Sequence, residues 1–320
     1  MTVASARAAR GADYGDAEKA GSAMSQKQRI VDFVARASTE ITTHDDKIVA
    51  ELAATLGHGT TVYVAHTPKA SFDEVIEVSM QVQAAGLRAC PHLVARRLPD
   101  EPQVRAGLRR LADAGIDQAL LVAGDRDEPL GPFRHTLDVI ASDVLVDSGL
   151  RALGVAGHPE GHPHATDAQL WDALRLKQDF GRKSGIAVHV ATQFGFDPRG
   201  LHDWAGRFAA QGIDLPVHAG VAGPTSFAKL LRFAMQCGVG ASLQSAMKNF
   251  KSVSNVARQT TTPEGIVPTL VDLGGGTGRS RIVQPHFFAF GGAVATARWM
   301  RTVTAGDFNL RTDGSLQLTR

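Results

Sequence analysis

A single-domain (β/α)₈ barrel is the fold that this chain of 320 residues predicts. Three observations carry the prediction. Eight short β-prone runs follow one another from about residue 37, and helix-like stretches separate most of them. No Gly-x-Gly-x-x-Gly follows the first run, which removes the main support for an open dinucleotide-binding sheet.

In order, the β-prone runs are Ala37–Thr42, Thr61–His66, Arg88–Ala95, Gln118–Gly124, Arg151–Gly157, Ala187–Phe194, Leu215–Val221 and Ile282–Phe290. Between them, Ser71–Ala85 places Phe72, Val75, Ile76, Ser79 and Val82 at three- and four-residue spacing, on one helical face. Val104–Ala114, Asp167–Lys183, Leu201–Gln211, Ser226–Cys237 and about Ala293–Thr302 read the same way. Residues 1–27 are rich in Ala, Gly, Ser and charge and read as a flexible extension ahead of a barrel over 28–320. The segment of about 240–280 breaks the alternation and reads as an insertion before the last strand, with a helix over Ser242–Ala257. Its run Gly274-Gly275-Gly276-Thr277-Gly278 lacks the Gly-Lys-Ser/Thr ending of a phosphate loop and reads as a flexible surface loop.

Bulk properties exclude several classes. The net charge of +2 and the absence of a Lys/Arg-rich run argue against a nucleic-acid footprint. No apolar run approaches the roughly 20 residues that a membrane span needs. Two cysteines, Cys90 and Cys237, make no disulfide framework, so a reducing cytoplasm is the expected setting.

In such a barrel the active site forms at the C-terminal ends of the strands. Polar residues gather there: Glu40, His66-Thr67, His92, Gly124-Asp125, His158 with His162, Gln193, His218 and His286. Glu40 alternates with Ile41, so an Ile41 facing the helices turns Glu40 into the barrel. Burial there raises a carboxyl pKa and lets the group hold a proton near neutrality. Asp125 follows an apolar run and a glycine that lets backbone approach a ligand closely. Gln193 carries both an amide donor and an acceptor, suited to the edge of a heterocycle. The segment His158-Pro159-Glu160-Gly161-His162-Pro163 must be an irregular loop, because prolines four apart fit neither a helix interior nor a central strand. His158 and His162 therefore lack the helical turn that would aim both at one ion, and no His-x-His pair stands on a strand; no metal site is expected.

Five segments in order resemble the methylenetetrahydrofolate reductase family. They are Arg88-Ala89-Cys90-Pro91-His92-Leu93, Val122-Ala123-Gly124-Asp125, His158-Pro159-Glu160-Gly161-His162-Pro163, Thr192-Gln193-Phe194-Gly195-Phe196-Asp197 and Leu215-Pro216-Val217-His218-Ala219-Gly220-Val221. The resemblance implies a flavin enzyme that interconverts 5,10-methylenetetrahydrofolate and 5-methyltetrahydrofolate, with FAD as cofactor. Glu40 would be the general acid, and Asp125 would stand between pterin and flavin. Thr67, His92, Gly124, Asp125, His158, His162, Asp172 and Lys177 would hold the cofactor, and Gln193, Phe227 and Phe288 the folate. NAD(P)H is the candidate electron donor and a homo-oligomer the candidate assembly.

The chain departs from the family pattern at Ala123, where an arginine is common, and at His158, where a tyrosine is common. A third departure is His286-Phe287-Phe288-Ala289-Phe290-Gly291-Gly292, which lacks the usual folate-side tyrosine and arginine. The rival readings are a metal-dependent barrel hydrolase using His92, His158, His162 and Asp125, and a folate-binding barrel without turnover.

Overall fold

A computed structural model describes residues 24–225 and 262–319. Eight parallel strands close into a barrel in sequence order. They are β1 (Ser38–Thr42), β2 (Thr61–Ala65), β3 (Arg88–Val94), β4 (Gln118–Val122), β5 (Ala152–Gly157), β6 (Ala187–Thr192), β7 (Val217–Ala222) and β8 (Ile282–Phe288). Closure is made by β1, which pairs with β2 on one side and with β8 on the other, Ser38 opposite His286. The described helices are α1 (Gln26–Ala35), α2 (Val49–Leu56), α3 (Phe72–Ala84), α4 (Glu101–Asp113), α5 (Thr136–Ala141), α6 (Asp167–Ser184), α7 (Pro198–Gly206), α8 (Pro263–Asp272) and α9 (Ala293–Thr304). A short antiparallel pair, β9 (Phe308–Leu310) and β10 (Leu316–Leu318), follows α9.

Two-residue alternation sorts each strand between two apolar layers. Ile41, Val62, Val64, Ala89, Leu93, Ala119, Leu121, Val155 and Phe287 belong to the large core between sheet and helices. The intervening positions Tyr63, Cys90, Leu120 and Ala191 form a smaller cluster of their own. Helix starts follow local chemistry. Ser71 and Glu74 cap α3 reciprocally, as Thr166 and Gln169 do for α6. Asp100 and Asp197 cap α4 and α7, each followed by a proline in the first turn.

Three segments depart from the sequence reading. The extension gives way to helix two residues early, because Ser25 caps α1 and its Ile30, Phe33 and Val34 pack against α8 and α9. The segment expected as an insertion ends in α8, whose Ile266, Val267, Leu270 and Val271 are buried against α1 and α7 as part of the outer helical layer. The glycine run is a set of tight turns and not a loose loop. Gly275 N–H donates to Leu270 O and Gly276 N–H to Ile282 O, and a Cβ at Gly275 would come within 2.8 Å of Leu270 O. Residues 1–23, the helices expected over Ser226–Cys237 and Ser242–Ala257, and Phe227 lie outside the described residues.

Candidate active site

The strands deliver chemically distinct groups around the C-terminal mouth. On β1, Ile41 is 2% exposed in the outer core, so Glu40 turns inward. Its carboxyl pKa is raised to about 7, chiefly by burial and further by the charge of Asp45, against a backbone hydrogen bond from Ala289. Asp45 is fixed in place by the turn that ends β1: its carboxylate accepts from Thr42 N (2.8 Å) and Thr42 Oγ1 (2.9 Å). A protonated Glu40 near neutral pH is thus a product of fold and turn together.

Next around the mouth, β2 to β4 carry a polar edge. His66 is buried and its Nε2 lies 3.1 Å from Ala70 O, while its Nδ1 has no partner. Burial holds its pKa down at about 4, and the charge of Arg97 adds to the shift. His92, on β3, is likewise held at about 4 by burial. The edge leaves four buried polar atoms without a hydrogen-bond partner: His66 Nδ1, Thr67 Oγ1, His92 Nε2 and Arg97 Nε. They are half of the eight such atoms among the described residues, where buried polar groups are ordinarily satisfied. Gly124 follows at φ +89°, and a Cβ there would meet Val94 Cγ1 at 2.4 Å, so only glycine permits this path. Asp125, beyond it, is ion-paired to Arg97.

The β5 exit is the expected irregular loop. His158 is partly buried and its pKa is lowered to about 4 by burial, then by the charges of His162 and Lys177. His162 is exposed, its ring 4.9 Å from that of His158. Behind the loop, a cleft between α6 and α7 is lined by His158, Trp171, Lys177, Trp204 and Arg207. Trp171 and Trp204 stack with ring centroids 5.6 Å apart, and the Arg207 guanidinium lies 5.2 Å over Trp171. Lys177 is 7% exposed and burial lowers its pKa to about 8. Asp172 is not brought to this cleft. It pairs with Arg175 on the exposed face of α6, and Asp167 is the acid that lines the cleft.

On the far side stands an aromatic wall. Phe288 leaves β8 with its ring 5.4 Å from Phe194 and 6.1 Å from Phe290. Phe290 holds φ at +48°, an uncommon conformation for a bulky residue and one found at sites under constraint. Gln193, at the end of β6, accepts from Phe194 N through Oε1 (3.1 Å), and its Nε2 makes no hydrogen bond among the described residues. His189, His218 and His286 are interior groups: Tyr63 Oη lies 3.1 Å from His189 Nε2, and His286 Nδ1 2.9 Å from Ser38 Oγ. Among the described residues no three His, Cys, Asp or Glu side chains group as metal ligands.

A family model described as methylenetetrahydrofolate reductase matches residues 52–267. The chain belongs to this family. Glu40 and Phe288 lie outside the matched residues. Over 158 residues this family member is 30% identical to the 5,10-methylenetetrahydrofolate reductase of Pectobacterium carotovorum subsp. carotovorum, covering 49% of the chain and 51% of that protein. It is 29% identical over 157 residues to methylenetetrahydrofolate reductase 2 of Saccharomyces cerevisiae, covering 47% and 26%. It thus spans about half the length of the first relative and a quarter of the second. Among solved structures, an uncharacterized protein from Clostridium thermocellum, described as binding two copies of 5-methyl-5,6,7,8-tetrahydrofolic acid, shares the fold. The TM-score is 0.57 at 15% identity, over 86% of this chain and 98% of that one.

Arg97 is the residue that sequence reading passed over. Its signal was partial: Arg96 and Arg97 stand side by side just past the apolar end of β3, and nothing local tells which of them turns inward. The tryptophan pair was legible only as helix core, because Trp171 and Trp204 stand 33 positions apart on different helices.

Proposed function

We propose that this barrel is a flavin-dependent oxidoreductase that interconverts 5,10-methylenetetrahydrofolate and 5-methyltetrahydrofolate, using FAD and a reduced nicotinamide. The observation that carries the reading is Glu40: an inward carboxyl poised near pKa 7 between an aromatic wall and a polar edge, on a chain of this family.

The residues present fit a flavin. The unpartnered Thr67, His66, His92 and Arg97 atoms suit the polar rim of an isoalloxazine. Lys177 and Arg207, which line the cleft, suit a dinucleotide's phosphates. When bound, FAD supplies the hydride chemistry.

The chain's own groups do the rest. Phe288 presents an apolar face for a pterin, and Gln193 Nε2 a donor for its edge. Glu40, protonated near neutrality, delivers its proton to a nitrogen of the bridged folate. The five-membered ring then opens to an iminium that can accept hydride; in reverse, Glu40 receives the proton as the ring closes. Asp125, at the mouth, accepts from pterin amino groups. The aromatic wall of Phe194, Phe288 and Phe290 keeps water from the Glu40 side of the site, which strengthens the contacts made there. The hydrolase reading has no grouped ligands among the described residues to support it.

The test is product analysis. FAD-loaded protein, given methylenetetrahydrofolate and NADH or NADPH, is expected to form 5-methyltetrahydrofolate. Tight folate binding with no product under either donor would favour the binding barrel without turnover.

A further inference from the structure

Arg97 is 6% exposed, yet the charge it faces, Asp125, has a side chain 75% exposed. Its Nη2 donates to Asp125 Oδ1, its Nη1 reaches His66 O at 3.4 Å, and its Nε is buried with no acceptor. Burying a guanidinium carries a large desolvation cost, which a good carboxylate pair inside the protein offsets only with further hydrogen bonds. Here the carboxylate stands in solvent, where its attraction is screened, and one buried donor goes unused. A pair built for stability would not look like this. It resembles a group held ready for a ligand at the same edge, beside the unpartnered His66 Nδ1, Thr67 Oγ1 and His92 Nε2. The neighbouring arginines are engaged elsewhere: Arg96 bonds Arg134 O and Arg126 O, and Arg126 bonds Glu128 O.

We propose that Arg97 is the positioning residue of the flavin edge: its guanidinium holds the Asp125 carboxylate at the mouth and supplies the buried positive charge against which a bound flavin sits. This rests on the flavin reading given above. Asp125 and Arg97 act as one unit of opposed charges. Removing the cation leaves a lone negative group beside the flavin, and removing the anion leaves a lone positive one.

The experiment measures FAD affinity and the flavin midpoint potential in the wild type, Arg97→Met, Arg97→Lys, Asp125→Asn and the double variant Arg97→Met/Asp125→Asn. Arg97→Met is expected to weaken FAD binding by about tenfold or more, the size of a lost charged hydrogen bond, and to lower the potential. Asp125→Asn raises the potential, and the double variant returns toward the wild type. Arg97→Lys keeps the potential but loses part of the affinity, because an ammonium keeps the charge without the planar fork. A purely structural role would move affinity and melting temperature together but would not give potential shifts of opposite sign. Should Arg97→Met fail to fold, Asp125→Asn decides: an unchanged potential overturns the proposal. Wild-type protein that binds flavin, with variants matching it in potential, overturns the Arg97 role and leaves the function standing. Wild-type protein that takes up no flavin overturns both.

Discussion

In the proposed reaction, Glu40 ties the pH at which the site can work to the way β1 is buried. With its pKa raised to about 7, the acid form is available below that value, so kcat/KM for methylenetetrahydrofolate reduction should fall as pH rises through 7. Glu40→Gln is expected to lower kcat by about 10²–10⁴-fold with folate binding retained; a matched loss of binding would count against the acid role. The same shift acts on folding. The folded chain holds this proton more tightly, so Glu40's contribution is complete below 4.5 and is lost as pH rises through 7. Glu40→Gln should therefore be more stable than the wild type in urea at pH 8, by on the order of 3 kcal/mol at most. Glu40's inward turn was legible because alternation with Ile41 leaves it no other side. The Arg97–Asp125 pair was not, since nothing local says that a side chain from the β3 exit reaches the β4 loop.

Elements set what the site can tolerate. Gly124 joins β4 to the Asp125 loop at φ +89° with Val94 packed against it, so Gly124→Ala adds both a strained backbone and a clash. It is expected to lose about 1–3 kcal/mol in denaturant unfolding, and a wild-type midpoint would contradict the packing described. On α6, Lys177 is a buried cation whose pKa falls to about 8, so its contribution to stability is negative near neutrality and recovers as pH rises from 8 toward 10.5. Lys177→Met should raise the melting temperature of the flavin-free protein while weakening FAD binding; lower stability without FAD would refute that assignment. Strands and long helices were legible because burial on two layers imposes period 2 and capping boxes mark the starts of α3 and α6. The short α2 and α5 were not. They hold two buried residues each, too few to set a period.

At the scale of the whole molecule, the barrel interior is unusual in holding imidazoles where branched aliphatics commonly stack. Burial lowers His189 and His92 to about 4, His286 to about 3, and His218 well below its ordinary value. These groups fold neutral, so their contribution is complete above 6.5 and is lost as pH falls toward 4. Each adds about 1.4 kcal/mol of destabilisation per pH unit in that window, outweighing the opposite drift of the single Glu40. Urea midpoints measured from pH 7 down to pH 5 should fall steeply, and a flat profile would mean that the interior admits charge. The barrel's closure, with β1 between the aromatic wall of β8 and the polar edge of β2 to β4, is what places an acid between those two surfaces. Anaerobic titration of the FAD-loaded protein with 5-methyltetrahydrofolate reads that arrangement in a single measurement. The flavin absorbance is expected to bleach as the folate is added, and Glu40→Gln to slow the bleaching. A flavin that stays oxidised under excess 5-methyltetrahydrofolate would contradict that arrangement.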